Sequence, residues 1–189
     1  MTWLILGLAL FLGTHSVSIV APAWRDAQVA RRGELPWKGL YSIVSIAGFA
    51  LIVVGYGAAR QVPVVLFVAP AWTRHLTMLL MLPVFPLFLA TYLPGRIRSA
   101  ARHPTLLAVM SWAVAHLLSN GTFADVLLFG GFLAWAVADR ISMRHRTQRP
   151  LPGPPPRPVN DLVAIVGGLA LYAVFVLWAH RWLFGVSPV

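Results

Sequence analysis

Two histidines stand inside hydrophobic sequence: His15 in Gly13-Thr14-His15-Ser16 and His116 in Trp112-Ala113-Val114-Ala115-His116. A strongly hydrogen-bonding, ionisable side chain is expensive at membrane depth, so each marks a functional site by default. The chemistry open to a pair of imidazoles there is ligation of a metal or a haem. The 189 residues include no cysteine, which excludes disulfides, thiolate ligation and thiol catalysis and leaves His, Tyr, Met and carboxylates. Paired carboxylates, a Ser/His/Asp set within one membrane layer, a phosphate-cradling glycine loop and a zincin motif are all missing. Ordinary hydrolase and nucleotide-driven mechanisms therefore find no support.

The elements that must hold these residues are membrane helices. Hydrophobic residues make up 59% of the chain and charged ones 11%, with mean hydropathy +0.77, the composition of an integral membrane protein. Apolar stretches able to cross ~30 Å of hydrocarbon fall at about 3–23, 39–59, 74–94, 104–119, 122–139 and 161–184. The expected fold is thus an all-α bundle of six transmembrane helices. Pro83 and Pro86 predict a kink in the third span, whose freed carbonyls need partners. Ser119-Asn120-Gly121 reads as a tight turn between the fourth and fifth spans, and Asp125 as the cap of the fifth.

Twelve of the fifteen basic residues lie in the first, third and fifth loops, leaving Arg60, Arg74 and Arg181 on the other side. The positive-inside rule then places both termini outside and the basic loops in the cytoplasm. The net charge of +10 reports this topology and contact with anionic lipid headgroups, and points to no nucleic acid. The Pro-rich stretch at about 141–160 reads as an extended, mobile cytoplasmic connector with no packed core. The apolar stretch Gln61 to Trp72 reads as an interfacial segment on the outer side.

The six histidines are not equivalent. His145 beside Arg144 and Arg146, and His180 beside Arg181, read as headgroup-facing; His75, next to Arg74, is either an interface anchor or a site residue. His103, between Arg102 and Pro104, opens the fourth helix, where it either caps that helix or helps hold an anion such as a carboxylate or propionate. Thirteen residues separate His103 from His116, about 20 Å along a helix and nearly opposite faces, so the two cannot share one iron. His15 lies about nine residues above the cytoplasmic end of its span and His116 about twelve, depths that differ by roughly 5 Å. Two such imidazoles on facing helices can sandwich a haem, or each can bond a neighbouring helix. Ser16, Ser18, Ser42, Ser45, Gly48 and Ser111 either serve the second imidazole nitrogen or simply allow close packing. Lys38 and Tyr41 sit at the cytoplasmic mouth of the second span, by default as interfacial residues.

Gly13-Thr14-His15-Ser16, Trp37-Lys38-Gly39-Leu40-Tyr41, Leu93-Pro94-Gly95-Arg96-Ile97-Arg98, Arg102-His103-Pro104 and His116-Leu117-Leu118-Ser119-Asn120-Gly121 together resemble the NnrU family, and the likeness runs from the first helix to the closing Leu183-Phe184-Gly185-Val186. The resemblance implies one transmembrane domain over residues 1–189, in the bacterial inner membrane. It further implies an association with nitrite and nitric oxide metabolism in denitrification. Around Arg102-His103-Pro104 and Trp112 to His116 the chain is also similar to the zeta-carotene isomerases. These are membrane enzymes holding haem b, and their two axial histidines align with His15 and His116. That likeness implies metal ligands His15 and His116, with His75 as the alternative, and His103, Arg102, Arg98 or Lys38 as partners for the propionates. The isomerases carry a cysteine where this chain has Ala113, which sets isomerase chemistry apart from it.

Arg102-His103-Pro104 resembles, in addition, the isoprenylcysteine and thiol methyltransferases of membranes, which implies S-adenosylmethionine as an alternative cofactor. Those enzymes add paired glutamates after the next helix, whereas this chain reads Asp139-Arg140-Ile141-Ser142 and has Glu34 as its one glutamate. A haem-dependent enzyme with a small hydrophobic substrate, and a non-catalytic haem or nitric oxide sensor or assembly factor, stand side by side.

Overall fold

The computed structural model describes residues 1–147, 149 and 153–189, so Pro150 and Pro152 of the expected connector lie outside them. The helices are, in chain order, α1 (Thr2–Val20), α2 (Pro22–Arg32), α3 (Glu34–Ala59), α4 (Thr73–Met81), α5 (Val84–Tyr92), α6 (Arg96–Ala101), α7 (Pro104–Ser119), α8 (Phe123–Ser142), α9 (Pro158–Val174) and α10 (His180–Phe184). A π-helical turn, Phe175–Ala179, joins the last two. Among the described residues there is no strand beyond one isolated bridge. Four stretches are long and apolar enough to cross a membrane: Thr2–Val20, Glu34–Ala59, Thr73–Tyr92 and Pro158–Phe184. Of the other two expected spans, α7 is apolar but only 16 residues long, and the 20 residues of α8 include Asp125, Asp139 and Arg140.

The helices fall into two compact units, residues 1–68 with 121–147, and residues 69–120 with 148–189. In the first unit α1 lies against α3 at backbone distance. Gly48, Ile52, Gly55 and Ala59 form the buried stripe of α3, repeating at helical spacing. A Cβ on Gly7 would stand 2.6 Å from the Ile52 nitrogen, and one on Gly48 2.8 Å from the Phe11 nitrogen. Such glycine seams let two helices gain dispersion energy where lipid removes any hydrophobic drive. A Cβ on Gly131 of α8 would stand 3.5 Å from Leu12 Cδ1 of α1.

Asp125 does cap α8, in a reciprocal box with Thr122. Its Oδ2 accepts from the Thr122 amide (2.9 Å) and hydroxyl (2.6 Å), and its Oδ1 accepts from the Tyr56 hydroxyl of α3 (2.6 Å). The apolar segment after α3 is tied to the same place: the Leu66 amide donates to the Gly121 carbonyl and the Phe123 amide to the Val64 carbonyl, each at 2.8 Å.

The first basic loop holds a helix that the hydrophobic pattern alone does not announce. Pro22 pushes Ala21 out of helical geometry, ending α1, and presets the first turn of α2. Gly33, at φ 89°, ends α2 after Arg31 and Arg32.

In the second unit the third span breaks where the prolines predict. The Leu82 amide turns back to the Leu79 carbonyl (3.3 Å), which frees the Met78 carbonyl, and this oxygen accepts from the Tyr172 hydroxyl of α9 (3.0 Å). In the last turn before the break the Leu80 carbonyl accepts from the Ser111 hydroxyl of α7 (2.6 Å). Gly168 of α9 packs against the backbone of Pro86. The end of the Pro-rich connector is tied to the second unit where it enters α9. Asn160 Nδ2 donates to the carbonyls of Pro94 (2.7 Å) and Pro155 (3.0 Å), and the Arg157 amide donates to Pro94 as well. Asp161 accepts from the amides of Arg96 (2.8 Å) and Ile97 (3.0 Å), so the Leu93 to Arg98 motif is a helix start capped by a carboxylate 65 residues away.

Candidate functional site

His15 lies in the first unit, at the end that also carries α2, Lys38 and the basic close of α8. Its Nδ1 is 2.7 Å from the Phe11 carbonyl, a bond that requires the proton on Nδ1 and leaves the lone pair on Nε2. Phe11 stacks on the ring at 4.2 Å. Tyr41 of α3 leans on it at 5.2 Å and Trp135 of α8 meets it edge-on at 5.8 Å. Three helices thus supply an aromatic chamber around one imidazole. The glycine seam is what makes this possible, because Phe11 touches α3 at Gly48 and carries His15 one turn further on.

One turn beyond Trp135, Asp139 is buried and accepts from Arg146 Nη2 at 2.6 Å and Ser142 Oγ at 3.3 Å. Among the described residues four buried side-chain atoms meet no hydrogen-bond partner: Ser45 Oγ, Trp135 Nε1, Arg140 Nη1 and Arg146 Nη1. All four belong to this unit. Along α1, an open groove of about 460 Å³ is lined by Gly13, Ser16, Val17, Val20, Ala21 and Trp24.

His116 lies in the second unit, on α7. Its Nδ1 is 2.9 Å from the Trp112 carbonyl, four residues back, and the Trp112 ring is 5.4 Å away. The geometry repeats that of His15: a lone pair on Nε2 and an aromatic ring one turn earlier. On the neighbouring face, Thr77 of α4 donates to the Ala115 carbonyl at 2.8 Å.

The other expected site residues are spread more widely. His75 is exposed in the first turn of α4. Lys38 pairs with Glu34 at 2.8 Å on the exposed start of α3. Arg98 sits in α6, and Arg102 follows it at φ 60°, ψ −49°, with the His103 amide donating to the Ala101 carbonyl at 2.7 Å. That is a γ-turn of the strained, positive-φ kind, a conformation that persists only where its surroundings hold it. His103 occupies the N-cap of α7, yet its side chain makes no capping bond. Among the described residues no three His, Asp or Glu side chains gather, so a bare ion has no ready ligand set there.

Because Pro22 ends α1 at Val20, His15 lies five residues from the helix end, about 7.5 Å, against about 18 Å for His116 above Pro104. What the two share is tautomer and presentation. The sequence marks neither Trp135 nor the pair of Asp139 and Arg146 as neighbours of His15; the four-residue spacing of Trp135 and Asp139 on α8 was the available signal.

A family model described as NnrU protein matches residues 3–188. The chain belongs to the NnrU family. The match covers both compact units, and the motif residues of both lie within it. Neither the curated proteins nor the solved structures yield a match. Family and apolar helices together describe a membrane protein with its helices in a lipid bilayer.

Proposed function

We propose that this NnrU protein spans the bacterial inner membrane six times, with both termini outside, and binds haem b through His15 and His116. The carrying observation is the shared imidazole arrangement. Each Nδ1 is committed to the carbonyl four residues earlier, which fixes the ring and leaves Nε2 as the ligand atom. A histidine ligand commonly gives its other nitrogen to a backbone carbonyl in this way, which raises its basicity and fixes its orientation.

The donor set suits a haem better than a bare ion, since His15 and His116 would hold the iron through Nε2 and the porphyrin would supply its remaining ligands. When bound, the haem supplies an iron that can exchange an electron or take nitric oxide. The chain's own contribution is to hold the ligand nitrogens and exclude water: Phe11, Tyr41 and Trp135 wall the His15 ring, and Trp112 flanks that of His116. The role in nitrite and nitric oxide metabolism, as a redox or nitric oxide sensing protein or a haem-dependent enzyme, rests on the family. Methyl transfer from S-adenosylmethionine gains nothing from the geometry. The carboxylate that follows α8's apolar run, Asp139, is engaged by Arg146 rather than offered to a substrate.

The test is the optical spectrum of protein purified with haem supplied during expression. Sharp reduced bands of a low-spin, bis-histidine haem are expected, and His15→Ala and His116→Ala should each shift the iron to high spin or lose it. His180→Ala is the control, because His180 also bonds a carbonyl through Nδ1, that of Val186 at 2.8 Å, without being a proposed ligand. Spectra unchanged by both ligand substitutions, or haem-free protein despite ample supply, would refute the reading.

A further inference from the structure

We propose that Arg146 and Trp135 bind a carboxylate of the ligand held at His15, a haem propionate in the reading above, on which this inference rests. Trp135 touches the His15 ring and has a buried Nε1 with no partner. About 6 Å further along α8, Asp139 Oδ1 accepts from Arg146 Nη2 while Met143 Sδ accepts from Nε and Nη2, which holds one edge of the guanidinium, and the buried Nη1 makes no hydrogen bond among the described residues.

An indole N–H and a guanidinium N–H can only donate, so what is missing beside both is an acceptor. A buried donor without one is costly, and Trp135 Nε1 and Arg146 Nη1, both unpaired among the described residues, are suited to an acceptor that a ligand brings. A planar guanidinium already fixed along one edge is matched to a carboxylate on the other. Charge agrees. Arg140, Arg144 and Arg146 outweigh Asp139 at the close of α8, and Arg140 adds a further buried donor. Lys38, the propionate partner expected on this unit, is exposed and paired with Glu34 instead.

The test is titration of the purified protein, in neutral detergent, with haem and with haem dimethyl ester, in which both propionates are esterified. Soret absorbance and tryptophan quenching report binding. The intact protein should prefer haem by about tenfold to a hundredfold, the range for one charge-assisted hydrogen bond. Arg146→Gln should bring that preference close to nothing while ester binding is kept. Because this change strands Asp139, Trp135→Phe, which removes one N–H and little volume, is the second variant and should reduce the preference in part. Equal binding of the two haems with a spectrum still dependent on His15 overturns the carboxylate site and leaves the ligand reading standing. A full preference retained in both variants overturns it too, by placing the acceptor's partner elsewhere. Binding of neither haem removes both proposals together.

Discussion

Replacing Gly48 by alanine adds one methyl group at the tightest place that bears on the histidine chamber. The new Cβ would lie 2.8 Å from the Phe11 nitrogen, 3.0 Å from its Cα and 3.1 Å from its Cβ, whereas ordinary contact begins near 3.4 Å. Two of the opposing atoms are backbone, so no side-chain rotation relieves the clash and α1 must retreat from α3 by about 0.6 Å. Overpacking of this kind costs about 1–3 kcal/mol. The same helix carries its own control. A Cβ on Gly39 or Gly57 meets nothing within 4 Å, so alanine there should be neutral or stabilise by up to about 1 kcal/mol through the chain entropy that glycine gives up. The variants should therefore differ by about 1–4 kcal/mol, read as unfolding midpoints in a fixed detergent. Function should follow stability, because Phe11 supplies the carbonyl that fixes His15 Nδ1. Haem affinity should fall in Gly48→Ala and hold in Gly39→Ala. A Gly48→Ala protein as stable as Gly39→Ala would refute the seam and the positioning argument built on it.

Two further outcomes test the second unit and the orientation. Tyr172→Phe and Ser111→Ala each strand a carbonyl freed by the proline break, so each should lower the unfolding midpoint by the equivalent of about 1–3 kcal/mol. Thr14→Ala, whose hydroxyl bonds only within its own helix at an exposed position, should be near neutral, and an equal loss there would show that the break needs no outside partners. Tags at either terminus should be reached from outside the cell and a tag after Arg146 only from inside, given that twelve of fifteen basic residues sit in alternate loops. Finding all three on one face would sink the six-span topology.

Signals confined to a few neighbouring residues were legible in the sequence. Pro83 announced the break in the third span, Pro104 the start of α7 and Asp125 the cap of α8, because each rule concerns backbone chemistry within one turn. The helix α2 is masked in the sequence by its three arginines and one aspartate, which give the segment the charge of a loop, although Pro22 and Gly33 bracket it as start and stop. Contacts between distant residues left no local trace. Nothing near Gly95 foretells that Asp161 caps α6, and nothing near His15 names Tyr41 or Trp135 as its neighbours. These follow only once the Gly7, Gly48 and Gly55 seam has fixed α1 on α3.

The two buried acids of α8 show why the chamber, and not the opposite end of the first unit, is the better candidate for chemistry. Asp125 and Asp139 lie near the two ends of one helix, both less than a tenth exposed. At Asp125 the chain completes every bond itself: Tyr56, the Thr122 hydroxyl and the Thr122 amide occupy both oxygens, and the acid returns the favour by capping its own helix. Such a closed set stabilises the fold and offers nothing to a ligand. At Asp139 the acid is engaged by Arg146 Nη2 and Ser142, but among the described residues Nη1 of Arg146 and of Arg140 stay buried without an acceptor, as does Trp135 Nε1 one turn nearer His15. Burial of a polar group is tolerated when its partners are present, so a cluster that satisfies its acceptor and leaves its donors open is built around something that brings acceptors with it. A carboxylate-bearing ligand coordinated at His15 Nε2 meets that description at both of its ends.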